Sequence, residues 1–179
     1  LAPHGKKIGP DPASINSAMI GGIAANNSSG MCCGTAQNSY RTLASMKIIF
    51  VDGSTLDTGS EESRQIFSRT NGEMLNRVAD IVQRTKANAR LAERIRQKFK
   101  MKNTTGYSLN ALVDFDDPID VISHLMIGSE GTLGFISEIT YNTVPDYQHK
   151  ASALMVFPNT ETACNAVSIL KSHRVEAVE

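Results

Sequence analysis

Tryptophan is absent from this chain of 179 residues, cysteine occurs only three times, and neither sign of charge is in excess. Each shortage removes a class of reading. The three cysteines, Cys32, Cys33 and Cys164, make no disulfide framework. The adjacent pair Cys32-Cys33 is poorly placed to give two ligands to one metal, and no Cys-x-x-Cys spacing exists. All three are expected to be small reduced side chains, which fits a reducing compartment. Lys+Arg and Asp+Glu both number 18, so net charge points to no polyanionic partner. No stretch approaches the roughly 20 apolar residues of a membrane span. The N-terminus carries no signal-peptide pattern. A chain of this length suggests one domain with a second begun, able to bury roughly 70 % of its unfolded surface. It starts at Leu1 and ends on what reads as a strand just beginning, so the expectation is a piece of a longer protein.

What is present is glycine in blocks. Four of the 13 glycines fall within Ile20-Gly21-Gly22-Ile23-Ala24-Ala25-Asn26-Asn27-Ser28-Ser29-Gly30-Met31-Cys32-Cys33-Gly34. A run this poor in bulk cannot be a core strand. Its glycines allow positive φ and close approach of main chain to another body. Successive amides freed in that way form a concavity suited to anions. Short polar side chains at Asn26, Asn27, Ser28 and Ser29 add donors and acceptors. The apolar lead-in Ile20, Ile23, Ala24 and Ala25 separates the run from an ordinary exposed loop. A second block, Gly128-Ser129-Glu130-Gly131-Thr132-Leu133-Gly134, matches neither the Rossmann nor the P-loop spacing.

Between the blocks the chain changes period twice. Residues 45–51 read as a strand, Asp52-Gly53 as a two-residue turn, and residues 55–58 as the returning strand. Apolar residues on both faces of the first strand (Met46, Ile48 and Phe50 against Ile49 and Val51) predict a sheet covered on both sides. Residues 60–101 turn helical, capped by Ser60 or Ser63 and broken at Asn71-Gly72. Met74, Val78, Ile81 and Val82, then Leu91, Ile95 and Phe99, recur at three- and four-residue steps. Residues 77–102 hold nine basic residues against Asp80 and Glu93. With Phe99 the only aromatic there, this is a solvated or partner-facing helix and not a nucleic-acid reader. Asp116-Asp117-Pro118 is expected to cap a helix over 119–126, with His124 packed within it. Residues 135–141 form a strand with Phe135, Ile139 and Tyr141 on one side. Residues 151–157 read as an apolar strand. Asn159 caps a helix whose stripe is Ala163, Ala166, Val167 and Leu170, and residues 175–178 begin another strand.

The order Pro10-Asp11-Pro12-Ala13-Ser14, then the first glycine block, then Val51-Asp52-Gly53-Ser54-Thr55-Leu56-Asp57-Thr58-Gly59, then the second block with Phe135-Ile136-Ser137-Glu138, resembles a known family. It is that of the FAD-linked oxidases of the vanillyl-alcohol-oxidase (PCMH) type, in particular the D-lactate dehydrogenase and glycolate oxidase branch. The resemblance covers residues 8–145. It also takes in Lys102-Asn103-Thr104-Thr105-Gly106-Tyr107-Ser108-Leu109, which reads equally well as a helix stop and turn around Gly106.

The resemblance implies an α+β fold: a second FAD-binding subdomain, mostly antiparallel sheet flanked by helices, over 1–146 with a helical insertion at 60–101. The start of a substrate cap domain would follow over 147–179. It implies FAD as cofactor. Pro10, Asp11 and Pro12 would touch the flavin, and Gly21, Gly22, Ala25, Asn26, Ser29 and Gly30 would surround pyrophosphate and ring. Glu130, Gly131, Gly134, Phe135 and Ile136 would lie at the adenosine end, with Glu130 fixing its loop by hydrogen bonds. No catalytic residue and no metal ligand is expected within this chain. The parent would oxidise a D-2-hydroxy acid of the D-lactate or D-2-hydroxyglutarate type, and pass electrons to an acceptor the sequence does not name. Gly5-Lys6-Lys7-Ile8-Gly9 and the long helical segment resemble the long-chain subgroup fused to an iron–sulfur module. The expected location is the cytoplasm, with a peripheral seat at the inner face of a membrane as the other placement. The alternative from another class is a non-catalytic interaction module using residues 77–102.

Overall fold

The computed structural model describes residues 1–170, 172–173 and 175–178. Near the N-terminus, strand β1 (Lys6–Lys7) pairs antiparallel with β5 (Val144–Pro145), so residues far apart in sequence close one end of the molecule. Residues 14–18 make only a turn, with Ser17 N and Ala18 N donating to Ser14 O. The expected glycine loop is then a correction. Ile20–Asn26 is a helix, α1, and neither Gly21 nor Gly22 has positive φ. Its apolar positions explain this, because Ile23 and Ala24 are buried and fix one face of a 3.6-residue period. The helix stops at Asn27, whose φ of 54° puts it in the left-handed cap position that glycine usually fills. The positive φ expected of this block appears after the helix, at Gly30 and Gly34.

Helix α2 (Ser39–Thr42) leads into β2 (Leu43–Ile49), which pairs antiparallel with β3 (Thr55–Asp57) and β4 (Phe135–Tyr141) in the order β3-β2-β4. The β2–β3 connection is longer than the two residues expected. Phe50 N donates to Ser54 O, Gly53 N donates to Phe50 O, and Gly53 takes a φ of 82°. That is a three-residue loop with a glycine bulge. The sheet is also covered on one face only. Met46 and Ile48 are buried, whereas Ile49 on the other face is 40 % exposed and faces solvent.

Strand β4 corrects the expected alternation. Ile48 pairs with Ile136 and Lys47 with Glu138, so Ser137 is an extra residue on β4. The bulge flips the side-chain order. Ile136 and Ile139 both face the core, opposite Ile48 and Met46, while Phe135 points to the open face opposite Ile49.

Helices α3 (Glu61–Thr70), α4 (Gly72–Ala87) and α5 (Ala89–Lys98) fill the predicted helical segment. The cap is Ser60, which accepts from Ser63 N, and Asn71 is the first break. A second break at Asn88 was not expected. Its side chain accepts from Leu91 N and restarts the chain as α5. Phe67, Leu75 and Val82 pack into the main core with Met46, Ile48 and Met126. Ala92 and Ile95 form a small separate cluster with Val113 and Phe99. After α6 (Ala111–Asp114), α7 (Pro118–Met126) begins at Asp117, whose carboxylate accepts from Ile119 N. His124 is packed as expected, stacked on Phe115 with ring centres 4.0 Å apart and edge-on to Tyr40 at 4.8 Å.

Past β5 the chain loses its core. The expected strand at 151–157 is not formed, and Leu154 and Val156 are almost wholly exposed. Helix α8 (Thr160–Leu170) forms, started by Asn159, but none of its described residues is buried. Ala163, Ala166, Val167 and Leu170 are nevertheless its less exposed face, as the stripe predicts. No strand occupies 175–178. An apolar strand needs a partner edge for its amides and a face for its side chains, and here it has neither.

Candidate functional site

The two glycine blocks meet. The C-terminal turn of α1 is bound to the second block by main-chain bonds from Gly128 N to Ala24 O (3.1 Å) and from Glu130 N to Ala25 O (2.9 Å). Asn26 Nδ2 adds a bond of 2.6 Å to Glu130 Oε1, and Asn26 Oδ1 accepts from Ser28 Oγ. Glu130 sits at a φ of 52°, which a glutamate adopts only at some cost, so this link is held against backbone preference. At the other end of the helix, Gly21 lies against the Ile136 carbonyl, where an added Cβ would stand 3.1 Å from the oxygen.

On the other side of the first block, Asp11 and Gly30 form a parallel bridge, with Asp11 N donating to Ser29 O at 3.1 Å. Pro10 and Pro12 are buried behind it. Gly30, at a φ of 74°, is required twice over, because a Cβ there would collide with the Asp11 main chain. Gly134 also owes its identity to packing, since a Cβ would stand 3.0 Å from Ile49 O and 3.2 Å from Ile48 Cγ2. Gly21, Gly30 and Gly134 are therefore glycine because protein lies against them. Gly22 and Gly131 are different. Nothing lies within 4 Å of the Cβ position at either, and both are exposed. Gly22 is one helical turn before Asn26 and shares its face, and Gly131 follows Glu130, the residue Asn26 holds. Among the expected site glycines the main chain left open to another molecule is thus at Gly22 and at Gly131, whose φ of 76° also favours glycine.

A third segment, which the sequence left undecided between resemblance and a plain turn, joins the two blocks. Lys102 Nζ donates to Gly30 O (2.5 Å) and Asn27 Nδ2 to Asn103 O (3.1 Å). Tyr107 shares a 2.7 Å bond with Thr132 Oγ1, and Ser108 Oγ donates to Ile127 O at 2.7 Å. Gly106 takes a φ of 76° in this turn but is not the helix stop, since α5 already ends at Lys98. The signal that could have found these residues was the Asn/Thr/Gly/Ser composition of 103–108, which offers polar groups without bulk.

Buried polar atoms without partners collect here. Asn27 Oδ1, Ser29 Oγ, Ser129 Oγ and Asp11 Oδ1 have no nitrogen or oxygen partner, and Asn27, Ser29 and Ser129 are each less than 10 % exposed. Burial pushes the neighbouring Cys33 thiol up, so it stays protonated, with the Ser29 hydroxyl acting the other way. Apolar side chains stand exposed around the same segments: Met19 at 83 %, Met31 at 55 % and Phe135 at 66 %. The site is an open face. None of the expected site residues lines either of the clefts of about 870 and 640 Å³, which lie between α4 and α5 and beside Asp146.

Residues 1–59 match the family model for an FAD binding domain. The chain is similar to FAD-binding domains. It is also 23 % identical over 163 residues to a D-2-hydroxyglutarate dehydrogenase of Haemophilus influenzae. That alignment covers 83 % of this chain and 15 % of the relative, so the chain spans a small part of the relative's length. No solved structure matches it. The α+β class expected from the sequence is the class observed, and the family match makes the cofactor FAD. The residues fit that group. Unpaired hydroxyls at Ser29 and Ser129 can donate, and unpaired oxygens of Asp11 and Asn27 can accept. FAD, with its hydroxyls, ring N–H, carbonyls and phosphates, needs both kinds.

Proposed function

We propose that this chain is the second part of the FAD cradle of an oxidoreductase that oxidises a D-2-hydroxy acid, of the D-lactate or D-2-hydroxyglutarate type, to the 2-oxo acid. The observation that carries the reading is the junction of α1 with the 128–131 turn, which sets Gly22, Asn26 and Gly131 side by side as an open edge. Once bound, FAD supplies a ring able to accept hydride from the hydroxy-acid carbon. The chain's own residues bind and orient. Exposed backbone at Gly22 and Gly131 admits a close approach that any Cβ would hinder. Asn27 and Ser129 offer buried groups left without a partner in the chain, and Ser29 one that meets only the Cys33 thiol; the ligand would satisfy them. Lys102, held on Gly30 O, brings a cation to an edge otherwise limited to neutral donors. Phe135, Met19 and Met31 would cover apolar ring surface and exclude water.

Catalytic side chains, and the second wall of the cradle, lie outside this chain in the proposal. The isolated chain is accordingly expected to bind FAD weakly and to turn nothing over. Two measurements test the reading. In an FAD titration of the chain followed by amide chemical shifts, the largest changes should fall at Gly22, Glu130 and Gly131. The longer protein, purified, should be yellow and reduce a dye with a D-2-hydroxy acid but not its L-enantiomer. A colourless protein, or shifts confined to α4 and α5, would overturn it.

A further inference from the structure

Charge is segregated within this neutral chain. Residues 77–102 hold nine basic residues against two acidic ones, and because the totals are equal the remainder is acidic by the same margin. The break at Asn88 folds this basic segment into two helices with an open cleft of about 870 Å³ between them, lined by Ile81, Arg84, Asn88 and Leu91 among others. Ile81 and Leu91 are 46 % and 41 % exposed, although each belongs to an otherwise packed helix. Helical spacing puts Arg77 and Arg84 on the face of Ile81, and Arg94 and Lys98 on the face of Leu91. Arg77 and Arg84 meet only local carboxylates, Glu73 and Asp80, in exposed pairs that solvent screens. Arg94 and Lys98 have no acidic partner among the described residues. The result is an apolar floor with a cationic rim.

We infer that this cleft docks an acidic segment of a partner protein, one carrying an apolar side chain that seats between Ile81 and Leu91. The proposal is independent of the flavin reading, since no residue lining the cleft belongs to that face. Three properties of the cleft select the occupant. Its concavity suits a chain segment laid between two helices better than a flat bilayer surface. Its floor calls for an apolar complement, which a nucleic-acid backbone does not bring, and the nearby aromatic, Phe99, is packed against Ala92 and Ile95 and not free to stack on a base. Its rim calls for carboxylates, which would give a fast, salt-sensitive association.

The test uses the whole chain and a helical probe peptide rich in glutamate, with two leucines at four-residue spacing. Saturable binding is expected, with methyl shifts at Ile81 and Leu91. The double reversal Arg84→Glu/Arg94→Glu should weaken it by about tenfold or more. Ile81→Ser should also weaken it, although that variant keeps every charge. The matched reversal Lys6→Glu/Lys150→Glu, on residues outside the cleft, should leave it unchanged. All these side chains are exposed, so thermal unfolding should show intact folds. The proposal is overturned if phosphatidylserine vesicles or heparin bind as well as the peptide. Equal loss in both double reversals, or indifference to Ile81→Ser, would reduce it to unspecific charge attraction. A concentration-dependent rise in mass abolished by the cleft variants would make the occupant a second copy of this chain and reject the proposal.

Discussion

Asn26 and Glu130, separated by 104 residues of sequence, are joined by a side-chain hydrogen bond of 2.6 Å. The bond links the end of α1 to a turn whose glutamate holds an unfavourable positive φ. Replacing Asn26 by Ala should therefore destabilise the chain by about 1 kcal/mol. Glu130→Gly should cost less, because glycine relieves the backbone strain while losing the same bond. Chemical denaturation of the two variants checks the order; a larger loss for Glu130→Gly contradicts it.

The glycines should separate into two classes. Gly30→Ala places a Cβ on the Asp11 main chain at positive φ, and should destabilise by about 2 kcal/mol or more. Gly22→Ala adds a methyl to an exposed helical site with nothing near it, and should stabilise the free chain by about 0.5–1 kcal/mol. The same Gly22→Ala change should weaken FAD binding in the longer protein. A variant that is less stable, or one that binds FAD as before, would show that Gly22 is not on the open edge.

His124 supplies a pH dependence. Burial between Phe115 and Tyr40 lowers its pKa, opposed by the Asp120 carbonyl and the Asp120 and Asp114 charges, with Arg41 acting the same way as burial. The folded state thus prefers neutral imidazole. Its contribution is fully present above the unfolded value of about 6.5, and is lost as pH falls through the lowered folded value. Melting temperature should drop between about pH 7 and pH 5, and His124→Phe should flatten that drop. His4, His149 and His173 are exposed, so an unchanged slope in the variant would remove His124 from the account.

Deleting Ser137 should be tolerated. The deletion joins Ile136 directly to Glu138, and Ile136, Glu138 and Ile139 then alternate in, out, in against Ile48, Lys47 and Met46. The ladder becomes regular without moving a core side chain, and only the bond from Ser137 Oγ to Lys47 O is lost. Stability should fall by no more than about 1 kcal/mol. An unfolded or aggregated product would mean that the bulge sets the direction of more than Phe135.

What the sequence made legible followed from local chemistry. The Ser60 and Asp117 caps and the packed His124 needed only near neighbours. The stripe expected on α4 and α5 held in part: Val82 and Ile95 are buried, whereas Ile81 and Leu91 are exposed and Leu75 and Ala92 are buried in their place. What it hid depended on distant partners. The glycine run at 20–26 reads as a loop until Ile23 and Ala24 are given a surface to pack on, and then it is a helix. Whether Phe135 faces in or out depends on one unpaired residue in the partner ladder. Lys102 and Tyr107 gain meaning only through Gly30 and Thr132, and no periodicity within 102–108 announces either bond. The open face of the sheet was misjudged because apolar residues on both sides of β2 do not say what covers the second side.

The join between Ala24 and Gly128 also constrains the order of biosynthesis. A chain growing from its N-terminus makes α1 early, but α1 has no counterpart until more than a hundred further residues have left the ribosome. The helix, short and glycine-rich, would be unstable alone during that interval. Completion of this edge must therefore await nearly complete synthesis of the region, and chains released before residue 128 would carry only half of it.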